Sequence, residues 1–359
     1  MEQRLRKLKL KMKKEGLDSL LVTNLTNVRY LTGYSGSNGY VFIAENVHFF
    51  TDFRYQEQVK REVTKRARIH IITKGFFDAL GSVPGLGKLR MIGFEADKVT
   101  VSFLEELKKS LKKQGNFKWV PTKNLVEDMR KVKDQEEVEH IAKAAAITDK
   151  TLKEVFRLVK PGVTEQDLSA EIAFRFMRYT ASPPAFDSIV ASGPNSAMPH
   201  AHPTNRRLRK GDFLTFDIGA RWNGYSADLT RTVVIGRAGE KHKEIYKIVL
   251  DAQRKALEGI HAGIEARKAD ALARDVIKAA GYGEYFGHSL GHGVGLQTHD
   301  GIALSSLAKD KVPEGAVVTV EPGIYIPDWG GVRIEDLVLV LRNGVKLLSH
   351  SPRGKLLEL

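Results

Sequence analysis

With 359 residues, 42% of them apolar and 28% charged, the chain has the composition of a globular protein long enough for two domains, each with its own core. It contains no cysteine, which excludes disulfides, thiolate nucleophiles and Cys-ligated zinc and leaves imidazoles and carboxylates as the candidate metal ligands. The formal net charge is +14, and residues 1–130 hold 25 Lys and Arg against 14 Asp and Glu, so most of the basic excess lies in the first part of the chain.

The opening MEQRLRKLKLKMKKEG puts Leu5, Leu8 and Met12 on one face of a helix ringed by lysines. No apolar segment follows that basic start and no run is long enough to span a bilayer, so a cytoplasmic protein without a membrane partner is expected. The lysines carry no interleaved aromatic motif. They read as a solvated surface, and no nucleic-acid partner is expected. From Ser19 to Tyr55 the sequence reads as several short strands separated by Asn, Gly and Ser turns. The strands RIHIITKG and RMIGFEA and a helix near Val101 to Lys113 follow, which predicts an α/β domain over residues 1–130. The highly charged stretch Lys123 to Glu137 marks the boundary. A helix then runs toward Leu158 in a second domain, residues 131–359. Two similar helix starts occur in it, KPGVTEQDLSAEIAFRFM and HAGIEARKADALARDVIKAAG, with Gly162 and Gly263 in matching places.

Between and after those helices lie two related stretches. Phe213 to Thr232, FLTFDIGARWNGYSADLTRT, alternates apolar and polar residues about a Gly-containing turn, and so predicts a hairpin with Asp217 on one arm and Asp228 on the other. Val317 to Leu341, VVTVEPGIYIPDWGGVRIEDLVLVL, has the same plan with Glu321 and Glu335. Gly211, Thr215, Asp217 and Gly219 match Gly315, Thr319, Glu321 and Gly323 at one offset. A repeat of this kind predicts a helix–hairpin unit duplicated about a pseudo-twofold axis, with a site between the halves. Four carboxylates brought together need a cation, and His292 in FGHSLGHGVGLQTHDG supplies an imidazole. An isolated Asp in a hairpin is ordinarily a turn residue or a solvated charge. The set of five, on a repeat, points to a metal site. His48, His70, His140, His242, His261 and His350 lie outside these motifs and read as surface or packing residues, and His202 as a loop residue.

FDIGARWNGYSADLTRT, GHSLGHGVGLQTH, VEPGIY and GVRIED resemble the motifs of the pita-bread metallopeptidases, which include methionine aminopeptidase, aminopeptidase P and prolidase. The first domain, with YLTGYSGSNG and TDFRY, resembles the N-terminal domain of the aminopeptidase P and prolidase branch. The resemblance covers essentially the whole chain. It implies an α/β N-terminal domain of the creatinase/prolidase type, followed by an α+β pita-bread catalytic domain. It further implies two divalent ions held by Asp217, Asp228, His292, Glu321 and Glu335, with Asp228 and Glu335 bridging. Mn²⁺ or Co²⁺ suits such ligands, with Zn²⁺ as the alternative. By the same resemblance Glu321 is the proton shuttle, His200 and His299 hold the substrate carbonyl and developing oxyanion, and His288 and Arg333 support the substrate or the carboxylate cage. The implied substrates are short peptides with proline second, and the implied assembly is a homodimer in which Asp52, Arg54 and Tyr55 of TDFRY reach a neighbouring site. A strand-end Asp–Arg pair is the competing reading of TDFRY. Three other activities use related chains: methionine removal, metal-free amidinohydrolysis of creatine, and RNA or ribosome binding. The substantial N-terminal domain argues against the first, and the intact ligand set against the other two. Gln297 and Thr298 before His299, and Asp300 after it, depart from the family pattern and alter the expected pocket shape.

Overall fold

The computed structural model describes residues 1–180 and 182–359, which form two compact units, Met1–Arg130 and Lys131–Leu359. In the first unit the strands are β1 Ser19–Val22, β2 Tyr40–Ile43, β3 Val47–Asp52, β4 Ala67–Ile72, β5 Met91–Glu95 and β6 Lys118–Thr122. They form one sheet in the order β4-β3-β2-β1-β5-β6, antiparallel at β1–β2 and β2–β3 and parallel elsewhere. Helix α1, Glu2–Lys14, buries Leu5, Leu8 and Met12. Leu21, Phe42, Phe50, Ile92 and Phe94 share a core with Leu107 and Leu111 of a later helix, Val101–Leu111.

One element departs from the sequence expectation. LTNVRYLT, read as part of a run of strands, is a helix, α2, Leu25–Thr32. The Asn24 side chain accepts from the Thr26 amide at its start, and Gly33 closes it at φ 88°. Val28 and Leu31 are three residues apart and fully buried, so a helical period outweighs the β preference of Val, Thr and Tyr. At the end of β3, Asp52 is gripped by Arg54 through Nε to Oδ1 and Nη2 to Oδ2, both 2.8 Å, so TDFRY contains the strand-end pair.

The second unit opens with a long helix, Gln135–Val155, started by reciprocal hydrogen bonds between Asp134 and Glu137. A second helix, Glu165–Thr180, is likewise started by Thr164 and Asp167. These two helices pack on a three-stranded sheet of β7 Ile189–Ser192, β8 Phe213–Ile218 and, after a small hairpin of β9 Arg221–Trp222 and β10 Tyr225–Ser226, β11 Leu229–Val234. Asn223 and Gly224 turn that hairpin with φ of 48° and 82°, the positive values a two-residue turn requires. The plan then recurs. Helices Glu240–Gly259 and Ala266–Ala279 cover strands β14 Val317–Val320 and β17 Asp336–Leu341. Between these helices and β14 lies a short pair, β12 Gly291–His292 and β13 Ala303–Leu304, and β14 is followed by the pair β15 Gly323–Ile326 and β16 Gly330–Arg333. β18 Gly344–Leu347 completes the sheet beside β17.

The correspondence of the halves extends to single hydrogen bonds. Gly211 and Gly315 have φ of 85° and 81° and donate to Ile235 (2.7 Å) and Val340 (2.9 Å). Gly162 and Gly263 have φ of 91° and 87° and donate to Leu208 (3.0 Å) and Val312 (2.8 Å). The duplicated hairpins therefore present their carboxylates from equivalent positions. Asp217 lies in β8 opposite Thr230 of β11, Asp228 immediately before β11, Glu321 immediately after β14 and Glu335 immediately before β17.

Candidate metal centre

Asp217, Asp228, His292, Glu321 and Glu335 all line one cavity of about 340 Å³, together with His200, His288, His299 and Arg333. Every metal, catalytic and substrate-binding residue expected in the second domain is thus brought to the same place, and His202, expected to be a loop residue, lines the cavity as well.

Packing and backbone pairing aim these side chains. Glycine at position 291 lets β12 press against β14, because a Cβ there would sit 2.1 Å from the Thr319 carbonyl oxygen. The His292 amide donates to Thr319 Oγ1 at 2.9 Å, and that hydroxyl donates to Glu321 Oε1 at 3.0 Å. The His292 ring faces the Gly293 carbonyl with Nδ1 (3.2 Å) and the carboxylates with Nε2, 3.5 Å from Asp228 Oδ2 and 3.4 Å from Glu321 Oε1. Its Nδ1–H is thereby given to a carbonyl, which leaves Nε2 as a lone pair directed at the acidic cluster. One ligand atom each from Asp228, His292 and Glu335 lie within 4.8 Å of one another.

A buried guanidinium ties the cluster together. Arg333, 3% exposed, donates from Nη2 to Asp217 Oδ2 (2.7 Å), from Nε to Thr230 Oγ1 (3.0 Å) and from Nη1 to Tyr325 Oη (2.7 Å). Thr230 passes the link on, donating to Glu335 Oε2 at 2.7 Å. Tyr325 Oη also meets His288 Nε2 at 2.8 Å. The His292 and His299 rings lie 4.0 Å apart. Thr230 and Tyr325 were not marked as site residues in the sequence. Tyr325 stands in the VEPGIY motif, but only the packed structure shows which groups its hydroxyl joins.

The electrostatics of the protein alone are unfavourable. Burial, then Glu335, Asp217 and Glu321, raises the Asp228 carboxyl well above its ordinary range, and Glu335 is raised by burial and by Glu321 and Asp217. Burial pushes Glu321 up to about 7. His292 is pushed down to about 4 by burial and by His299, and His288 to about 4 by burial and by Arg333. Asp217 Oδ1 and Glu335 Oε1 are buried with no hydrogen-bond partner. Buried acceptors without donors are costly, and repelling carboxylates beside a neutral imidazole are the donor set of a divalent cation, so the residues fit such an ion.

The two related halves bring a donor set suited to divalent cations to one cavity, and comparison with known proteins gives the class as metal-dependent hydrolase. Residues 139–342 match the model of metallopeptidase family M24, and residues 4–132 match that of the creatinase/prolidase N-terminal domain. The chain is 38% identical to the Xaa-Pro dipeptidase of Pyrococcus horikoshii over 98% of each protein. Among solved structures it resembles an Xaa-Pro dipeptidase from Bacillus anthracis, with a TM-score of 0.94, 38% identity, and 100% of this chain and 99% of that one covered. It also resembles an X-Pro aminopeptidase from Thermotoga maritima, with a TM-score of 0.89, 35% identity and coverage of 95% and 98%. The chain belongs to metallopeptidase family M24 and has the pita-bread catalytic fold.

Proposed function

We propose that this enzyme hydrolyses the N-terminal Xaa-Pro bond of short peptides, using two divalent ions held by Asp217, Asp228, His292, Glu321 and Glu335. The observation that carries this reading is the single cavity in which all five ligands meet, two of them with buried unpartnered oxygens, in a chain similar over its whole length to proteins named for Xaa-Pro cleavage. Mn²⁺ or Co²⁺ suits the carboxylate-rich set, with Zn²⁺ as the alternative. When bound, the ions supply Lewis-acid activation of water and of the scissile carbonyl.

The protein's own groups do the rest. Glu321 takes a proton from the attacking water and delivers it to the proline nitrogen as the C–N bond breaks. The ring nitrogen must gain that proton to leave as a neutral secondary amine rather than as an amide anion. His200 and His299 stand in the cavity wall as donors for the carbonyl and the developing oxyanion, and Arg333 with Tyr325 fixes Asp217 and His288. The cavity volume, at the low end of small-ligand sites, suits a dipeptide-sized segment.

A matched pair, Xaa-Pro and Xaa-Pro-Yaa, incubated with chelated protein and then with added Mn²⁺, tests the proposal. Metal-dependent cleavage of either supports it. No cleavage with any divalent ion, or cleavage of Met-Ala in preference to both, overturns it. The first unit is further read as a dimerisation domain, and a monomer mass in light scattering would remove that part. A cytoplasmic setting belongs to the same reading; no described helix is long and apolar enough to cross a membrane.

A further inference from the structure

A second cavity, about 710 Å³, adjoins the first, and Ser289, His292 and His299 line both. Its remaining walls differ in character from the acidic site. Ile302, Val312 and Pro313 give it apolar surface, while three lysines, Lys131, Lys309 and Lys311, line it with one acidic residue, Asp310. Lys309 and Lys311 are exposed. Asp310 approaches Lys131 at 3.9 Å. The backbone beneath is fixed, since Lys311 bridges to Glu265 and the Val312 amide donates to Ile264 at 2.9 Å.

Resting on the peptidase reading above, we propose that this lysine-lined cavity holds the part of a substrate that lies beyond the proline, and that Lys309 and Lys311 receive its C-terminal carboxylate. Only one residue precedes the scissile bond, so any additional length extends on the leaving-group side. The lysines order the peptide by charge, repelling its N-terminal ammonium and attracting its C-terminal carboxylate. A volume of about 710 Å³ lies well inside the range that accommodates a ligand of several residues. Peptides of three or four residues with a free C-terminus are then substrates in their own right, and the chain acts as an aminopeptidase on short peptides.

The test compares Ala-Pro-Ala-Ala as the free acid and as the carboxamide, with the full-length, metal-loaded enzyme. Because the carboxylate is remote from the reacting atoms, the difference is expected in KM alone, with the acid favoured about tenfold and kcat alike for both. Raising the salt shrinks the ratio, because the lysines are exposed. In K309Q/K311Q the acid-to-amide ratio collapses toward one, and in K309E/K311E it inverts; a ratio taken within each variant cancels general damage to the fold. Calorimetric titration of Pro-Ala-Ala and its amide into metal-free protein gives the same comparison without turnover. A wild-type ratio near one, or a ratio that survives in K309Q/K311Q, overturns the subsite. If no Xaa-Pro peptide is cleaved with any metal, the function proposed above fails, and the calorimetric comparison still decides whether the lysines bind a carboxylate.

Discussion

Replacing Thr230 with valine keeps the shape of the side chain and deletes the hydroxyl through which Arg333 Nε and Glu335 Oε2 are linked, at 3.0 and 2.7 Å. Thr230 is fully buried, so water cannot replace the lost partner. A guanidinium N–H and a carboxylate oxygen are both left without one. At about 1–3 kcal/mol for each of the two buried groups so orphaned, the cost is about 2–6 kcal/mol. For a unit of this size that lowers the melting temperature by about 4–24 °C. The second effect is on metal affinity. Glu335 Oε1 already lacks a hydrogen-bond partner, and without Thr230 nothing fixes the rotation of its carboxylate. Losing a group that orients a ligand weakens binding by about 10- to 100-fold. Calorimetric titration of chelated protein with Mn²⁺ reads the affinity, and differential scanning fluorimetry reads the stability. Thr230→Ser restores the hydroxyl and should recover most of both. If T230V and T230S bind metal equally well and melt together, the hydroxyl bridge does not support the site.

Arg231→Met should cost about 1–3 kcal/mol in chemical denaturation, because Arg231 is 1% exposed, pairs with Asp336 at 2.7 Å and donates to the Ser351 carbonyl, while Arg353 at 3.0 Å still compensates Asp336. Arg54→Ala, at an exposed pair, should change stability by less than about 1 kcal/mol. Gly291→Ala should weaken metal binding along with stability, since its Cβ would force apart the β12–β14 contact that aims His292; an unaltered metal titration would contradict this. His48 is pushed down to about 4 by burial, then by His70 and Arg68, so the unfolded chain binds the proton more readily than the folded one. That contribution to stability should therefore be held in full above about pH 6.5, and about 3 kcal/mol of it should be lost as the pH falls toward 4. In His48→Gln that part of the acid slope should disappear, as followed by denaturant melts at several pH values.

Much of the catalytic unit was legible because duplication writes its own register. The offset joining Gly211, Thr215 and Asp217 to Gly315, Thr319 and Glu321 located both hairpins, and the alternation of FLTFDI assigned the strand that carries Asp217. The network behind the carboxylates was not legible. Thr230 and Tyr325 act through hydroxyls whose partners are 105 and 37 residues distant, at Glu335 and His288, and no local period reports such contacts. Helix α2 was missed for the opposite reason. Its eight residues are too few to establish a helical period against three β-favouring types, and only the Asn24 cap and the Gly33 stop identify it.

The repeat is symmetrical in backbone and unsymmetrical in chemistry. The first half contributes two aspartates, whereas the second contributes two glutamates, each longer by a methylene, and the only imidazole among the five ligands. On the two-ion reading proposed above, ions held between such halves would meet unequal donors, and the two would load at different concentrations.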